Sequence, residues 1–271
     1  MLELYADSRV VPNESIAFEV NYRLTESASA GACVLTLAVA EGMMNGFEKV
    51  DRAKLQDEDV QAAFRLEIVK SICEFAHRYP DAGYGNTFIC WCAEAYKRQV
   101  YEPYNSWGNG SAMRASFAGW AAQSLEEALL LGKLSAEVTH NHPEGIKGAQ
   151  AIAAGIYLLR SGKSKAEVRE YLSQMYDLNF TLDEIRPTYR FEVSCQKSVP
   201  QAINAFLEAE DFEDTIKNAL SIGGDADTLA AMAGSLAEAC YPIPTDLEDR
   251  AWAKLTPDLQ AVACRADEFL G

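Results

Sequence analysis

The sequence predicts an all-α fold: a compact, single-domain, multi-helix bundle with one short strand-like segment near its start. Three observations carry this expectation. From residue 31 onward apolar residues recur at helical spacing. Segment after segment opens on a Ser, Asp or Thr, or on a Pro, suited to a first helical turn. No Gly/Ser linker, low-complexity tract or fixed-period repeat divides the chain, so 1–30 reads as a divergent N-terminal segment and 31–271 as one helical domain.

The elements follow in order. Between Ser15 and Arg23, the apolar residues Ile16, Phe18, Val20 and Tyr22 alternate with smaller or polar ones, which is the period of a strand. A lone strand must pair with another strand or a second chain. Gly31 to Gly46 is apolar nearly all round, as a buried helix is. Lys147 to Arg160 is similar and rich in Ala and Gly, so neighbouring helices can approach it closely, and Gly162 is its stop. Ser164 and Glu167 form a capping box ahead of the stripe Val168, Tyr171, Leu172 and Met175. Ser198, ahead of Val199 and Pro200, opens a helix bearing Ile203, Phe206 and Leu207. Asp211 precedes Ile216 and Leu220, Asp225 precedes the run Leu229 to Cys240, and Thr256 with Pro257 opens the last helix.

Composition narrows the function. Hydrophobic residues are 49% and charged residues 24%, which excludes wholesale disorder. Asp plus Glu outnumber Lys plus Arg 40 to 24, giving −16 at pH 7, so no basic face offers itself to a nucleic-acid backbone. The seven cysteines include no C-x-x-C pair; Cys90 and Cys92, flanking Trp91 in an apolar run, read as buried reduced thiols, and the expected compartment is a reducing cytoplasm. The first residues lack the basic-then-apolar pattern of a signal peptide, and no stretch approaches the roughly 18 apolar residues that cross a bilayer.

Four segments carry chemistry-bearing residues. In Ser221–Thr228, two glycines precede Asp225, Asp227 and Thr228; two carboxylates and a hydroxyl at a helix start are hard oxygen ligands suited to Mg²⁺, Mn²⁺ or Ca²⁺. The alternative there is simple capping by Asp225 with a solvated Asp227. In Tyr104–Arg114, a Gly-rich turn with Asn109 and Ser111 precedes a helix and can cradle a phosphate with its free N–H groups; a loop with a Ser cap is the alternative. In Val138–Gly145, the pair His140 and His142 suggests zinc, but no further His or Cys has matching spacing, so a turn capping a helix after Pro143 is favoured over zinc; one of the two histidines can still face a ligand. In Arg186–Gln196, Cys195 has no base beside it and reads as a structural thiol.

Taken together and in this order, these motifs resemble the ADP-ribosylglycohydrolase family over about residues 31–242. The resemblance rests on Asn105–Arg114, Thr139–Gly145, Ile222–Ala233 and the helix Val34–Glu41. It implies a compact all-α fold, a binuclear Mg²⁺ or Mn²⁺ site and cleavage of the bond between the anomeric carbon of ADP-ribose and an acceptor, often a protein side chain. It further implies Asp225, Asp227 and Thr228 as metal ligands, and Asn109, Gly110, Ser111, Met113 and His140 as contacts to ADP-ribose. The family's Gly-Asp-rich opening helix has no counterpart before residue 31. Its first metal motif falls on Ala30, Gly31, Ala32 and Cys33, which offer no carboxylate; a short insertion would bring Glu26 there instead. The expected partner is ADP-ribose or an ADP-ribosylated protein. Two readings follow: a metal-dependent hydrolase with a degraded first metal motif, or a module that binds ADP-ribose or a protein partner without cutting.

Overall fold

The computed structural model describes residues 31–271. The strand expected around Ile16–Tyr22, the segment 1–30 and Glu26 lie outside the described residues. The helices run, in order, α1 Gly31–Lys49, α2 Glu58–Arg78, α3 Asn86–Arg98, α4 Gly110–Met113, α5 Ser116–Ala121, α6 Leu125–Glu137, α7 Pro143–Arg160, α8 Lys165–Leu172, α9 Leu182–Ile185, α10 Cys195–Glu208, α11 Phe212–Ser221, α12 Ala226–Glu238, α13 Thr245–Trp252 and α14 Pro257–Leu270. Among the described residues there is no strand, only an isolated bridge between Gly108 and Ser194. No helix there is long and apolar enough to cross a membrane.

Local sequence explains the starts. Ser164 and Glu167 form the reciprocal capping box at α8. Asp211 accepts from the Asp214 N–H at α11, and Thr256 with Pro257 opens α14. Gly162, at φ +85°, takes the left-handed turn that ends the α7 region.

Two apolar clusters make the core. One gathers α1, α2, α3, α5 and α6 around Val34, Met43, Phe64, Ile68, Phe75 and Leu131. The other gathers α7, α8, α10 and α12 around Ile152, Ile156, Leu172, Phe206, Met232 and Leu236. Helix α7 is their shared wall: Ala153 faces the first, while Ala149, Ile152 and Ile156 face the second. Its small residues permit this. A Cβ on Gly148 would sit 2.6 Å from the Cys195 sulfur, and one on Gly155 would sit 2.6 Å from Leu236 Cδ2. Helix α1 meets α2 as closely, since a Cβ on Gly42 would lie 2.5 Å from Ile68 Cα.

Two expectations are corrected. The helix assigned to Ser198–Pro200 begins earlier, at Cys195, with Ser194 before it and Pro200 inside. The cause is tertiary: the Cys195 N–H donates to Trp107 O, and the Asn109 N–H donates to Val193 O, pinning the start against a distant loop. Cys90 is exposed, not buried, because α3 is amphipathic and turns Cys92 inward in its place.

Candidate active site

The loops at one end of the bundle converge on a cleft of about 590 Å³. Its walls come from the start of α1, the loop 83–85 with the first turn of α3, the turn 104–110, His140 between α6 and α7, the segment around Phe191 and Val193, and the start of α12.

Asp225 is the centre of the arrangement. It precedes α12 but makes no side-chain capping bond to that helix. Its Oδ2 instead accepts from Asn109 Nδ2 at 2.8 Å. Burial pushes its carboxyl up to about 6; the Asn109 hydrogen bond opposes this, and the neighbouring Asp227 carboxylate adds to it. No Lys or Arg pairs with either aspartate among the described residues. Gly223 and Gly224, at φ +71° and +74°, turn the chain sharply so that both carboxylates reach the cleft. Of the alternative open in the sequence, capping by Asp225 is not seen, while Asp227 is solvent-exposed as that alternative had it. Thr228 is buried at the cleft wall, its hydroxyl donating to Met113 Sδ at 3.6 Å.

The turn 104–110 supplies backbone more than side chains. Asn109 ties three segments together, through its N–H to Val193 and its amide to Asp225. The N–H groups of Gly110 and Ser111 take no acceptor among the described residues. The side chain of Ser111 does not face the cleft. It is fully buried, and its hydroxyl donates to Gly145 O at 2.7 Å, fastening α4 to α7. Any contact from Ser111 to a ligand is left to its backbone.

His140 lines the cleft, with Nε2 3.5 Å from the position a Cβ would take on Gly110. His142 faces away from this chemistry: its Nδ1 caps α7 by accepting from the Glu144 N–H at 3.1 Å. Cys195 is inert at neutral pH. Burial pushes its thiol up to about 12, and its sulfur donates to Gly108 O.

Several cleft residues carried no signal in the sequence. Tyr84 arrives from the α2–α3 loop, whose course is set by tertiary packing, and Asn86 and Phe88 from the first turn of α3. Trp107 and Phe191 stand exposed at the wall, and an exposed aromatic in a loop is visible only once the loop is placed. Gly31 and Ala32, where the resemblance puts half a metal site, do line the cleft but bring no carboxylate.

The ADP-ribosylglycohydrolase family model matches residues 32–268. The human ADP-ribosylhydrolase ARH3 is 26% identical over an alignment covering 82% of this chain and 72% of that protein. The ADP-ribosylarginine hydrolase Tri1 of Pseudomonas putida (strain GB-1) is 31% identical over 62% of this chain and 50% of its own. A solved structure described as an ADP-ribosylglycohydrolase-related protein complex shares the fold, with a TM-score of 0.59 at 17% identity over 92% of this chain and 100% of that one. The matched region holds the helices and the cleft residues alike, and the chain belongs to the ADP-ribosylglycohydrolase family.

Proposed function

We propose that the chain is a metal-assisted hydrolase that removes ADP-ribose from a modified protein side chain or small acceptor by cleaving the bond at the anomeric ribose carbon. One observation carries the reading: a half-buried aspartate at a helix start leaves its helix uncapped and sits beside a second, exposed carboxylate at the cleft, with no cation paired to either among the described residues. Such a pair is costly to keep unless a positive ligand arrives. Family membership supports the same reading.

Two carboxylates and a hydroxyl fit a hard divalent cation, and Asp225, Asp227 and Thr228 would hold it. Mg²⁺ commonly binds through one or two carboxylates and keeps several waters, which matches this donor set. When bound, Mg²⁺ or Mn²⁺ would supply Lewis-acid polarisation at the ribose. The chain's own residues do the rest. Asn109 holds the Asp225 carboxylate in place. The Gly110 and Ser111 N–H groups and His140 offer donors to diphosphate or ribose oxygens. The free thiols support a reducing, cytoplasmic setting.

A second reading has its own observation. Asp225 and Asp227 are the only carboxylates lining the cleft among the described residues, and no group of three His, Cys, Asp or Glu side chains gathers there as a metal cluster. That favours an ADP-ribose binder with one weakly held ion and little turnover. The deciding experiment is release of ADP-ribose from arginine- and serine-modified peptides with excess Mg²⁺ or Mn²⁺. Metal-dependent release that Asp227→Ala abolishes is the expected result. Intact ADP-ribose binding without release would favour the binder.

A further inference from the structure

Arg114 closes α4 and is 1% exposed, a buried guanidinium with no carboxylate partner among the described residues. Its Nη2 donates to Thr139 Oγ1 at 2.6 Å and, more weakly, to Ser135 O at 3.3 Å, while its Nε has no partner among the described residues. Thr139 is fully buried as well. Among the described residues its Oγ1 has two hydrogen-bond neighbours, Arg114 Nη2 and, at 2.7 Å, His140 Nδ1.

The protons of this chain can be assigned by elimination. A guanidinium only donates, so Thr139 Oγ1 accepts from Arg114. The hydroxyl has one proton of its own, and the sole acceptor within reach among the described residues is His140 Nδ1. Were Nδ1 protonated, two donors would face the Thr139 oxygen and the buried hydroxyl proton would have no acceptor, which is strongly disfavoured. Nδ1 is therefore the acceptor, and the imidazole proton resides on Nε2. Burial, and then the nearby Arg114 charge, hold His140 well below its ordinary range, so the ring stays neutral. Nε2 itself has no hydrogen-bond partner among the described residues and lies 3.5 Å from the Cβ positions of both Gly108 and Gly110.

We propose that Arg114 and Thr139 are positioning residues that lock His140 as a neutral Nε2–H donor aimed at the open space before the Gly108–Gly110 turn. The ligand group this donor recognises is an acceptor oxygen, a phosphate or sugar oxygen; that it belongs to ADP-ribose rests on the function proposed above. The buried cation has a definite use here. It polarises the Thr139 hydroxyl, which strengthens that hydroxyl as a donor to Nδ1.

The test is ¹⁵N NMR on the full chain labelled at histidine, which has only three histidines, with His140→Asn to assign the signal. Ligand-free wild type should show Nε2 protonated and Nδ1 bare. Thr139→Ser should keep that pattern, and Thr139→Val should lose it. ADP-ribose affinity should fall roughly tenfold in Thr139→Val, the loss of one good hydrogen bond, and stay within about threefold in Thr139→Ser. Protonated Nδ1 in wild type overturns the inference, as does a Thr139→Val spectrum unchanged from wild type. The wild-type spectrum decides the matter even if Thr139→Val fails to fold. The expected tautomer pattern in a protein that does not bind ADP-ribose would leave the positioning role standing and remove the ligand reading instead.

Discussion

Alanine at Gly223 and at Gly224 should have distinct effects, although the two are neighbours with nearly equal backbone angles. Both hold positive φ, +71° and +74°, where a side chain costs about 1–2 kcal/mol. Around Gly223 an added Cβ meets nothing within 4 Å, so Gly223→Ala should cost about that much and no more. At Gly224 the Cβ would fall 2.6 Å from Tyr189 Cε1 and 3.1 Å from Arg190 O. The Tyr189 ring is itself tied down, its hydroxyl donating to Lys197 O at 3.0 Å. Overpacking of this kind adds about 1–3 kcal/mol, for a total near 2–5 kcal/mol. Relief requires the turn to move, and Asp225 moves with it. The assay is urea denaturation of both variants, followed by thermal shift with Mn²⁺. Gly223→Ala should keep most of the metal-induced stabilisation, and Gly224→Ala should lose it. Equal destabilisation by the two variants, or a more stable Gly224→Ala, would refute the reasoning.

Three further outcomes are expected. Asp225→Asn removes one of two facing carboxylates, so in chelator it should unfold at a higher urea concentration than wild type, while gaining nothing from Mn²⁺; a less stable variant in chelator would count against the carboxylate pair. Gly110→Ala places its methyl 3.5 Å from His140 Nε2 at a non-strained φ, so stability should change by less than about 0.5 kcal/mol while ADP-ribose binding, read by calorimetry, falls at least tenfold. Burial raises the Asp258 carboxyl, but hydrogen bonds from Thr256, Tyr79 and Arg78 together draw it below the usual range. A depressed folded-state value stabilises above the unfolded pKa of about 3.9 and is lost as pH falls through the folded value, so wild type should exceed Asp258→Asn by under about 1 kcal/mol near neutrality, with the gap closing in strong acid. Urea midpoints measured across that range check this.

Helix starts governed by adjacent residues were legible in the sequence; those governed by distant ones were not. Ser164 with Glu167 and Thr256 with Pro257 act within one turn, and both open helices as expected. The Ser198–Pro200 signal misplaced α10 because hydrogen bonds to Trp107 and Asn109, far away in sequence, set its first residue. The candidate site divides the same way. The motifs around Asn109, His140 and Asp225 are recognisable in order along the chain, and the fold brings them to one cleft. Whether Asp225 capped its helix or faced a ligand could not be read from its neighbours, because both roles need an aspartate before a helix. Ser111 shows the opposite difficulty: a hydroxyl in a Gly-rich turn suits a ligand, yet its partner is Gly145 on α7. Tyr84 belongs to no motif, and Phe191 lies in the Arg186–Gln196 segment, where only Cys195 drew notice; only the packing of their loops brings them to the cleft.

Calorimetric titration of ADP-ribose into the 271-residue chain, once in chelator and once in excess Mg²⁺ or Mn²⁺, tests the central claim most directly. Saturable binding of one ADP-ribose per chain is predicted in both, tighter with the metal because Asp225 and Asp227 are then neutralised beside the diphosphate. Absence of binding under both conditions would contradict the assignment of this cleft to ADP-ribose.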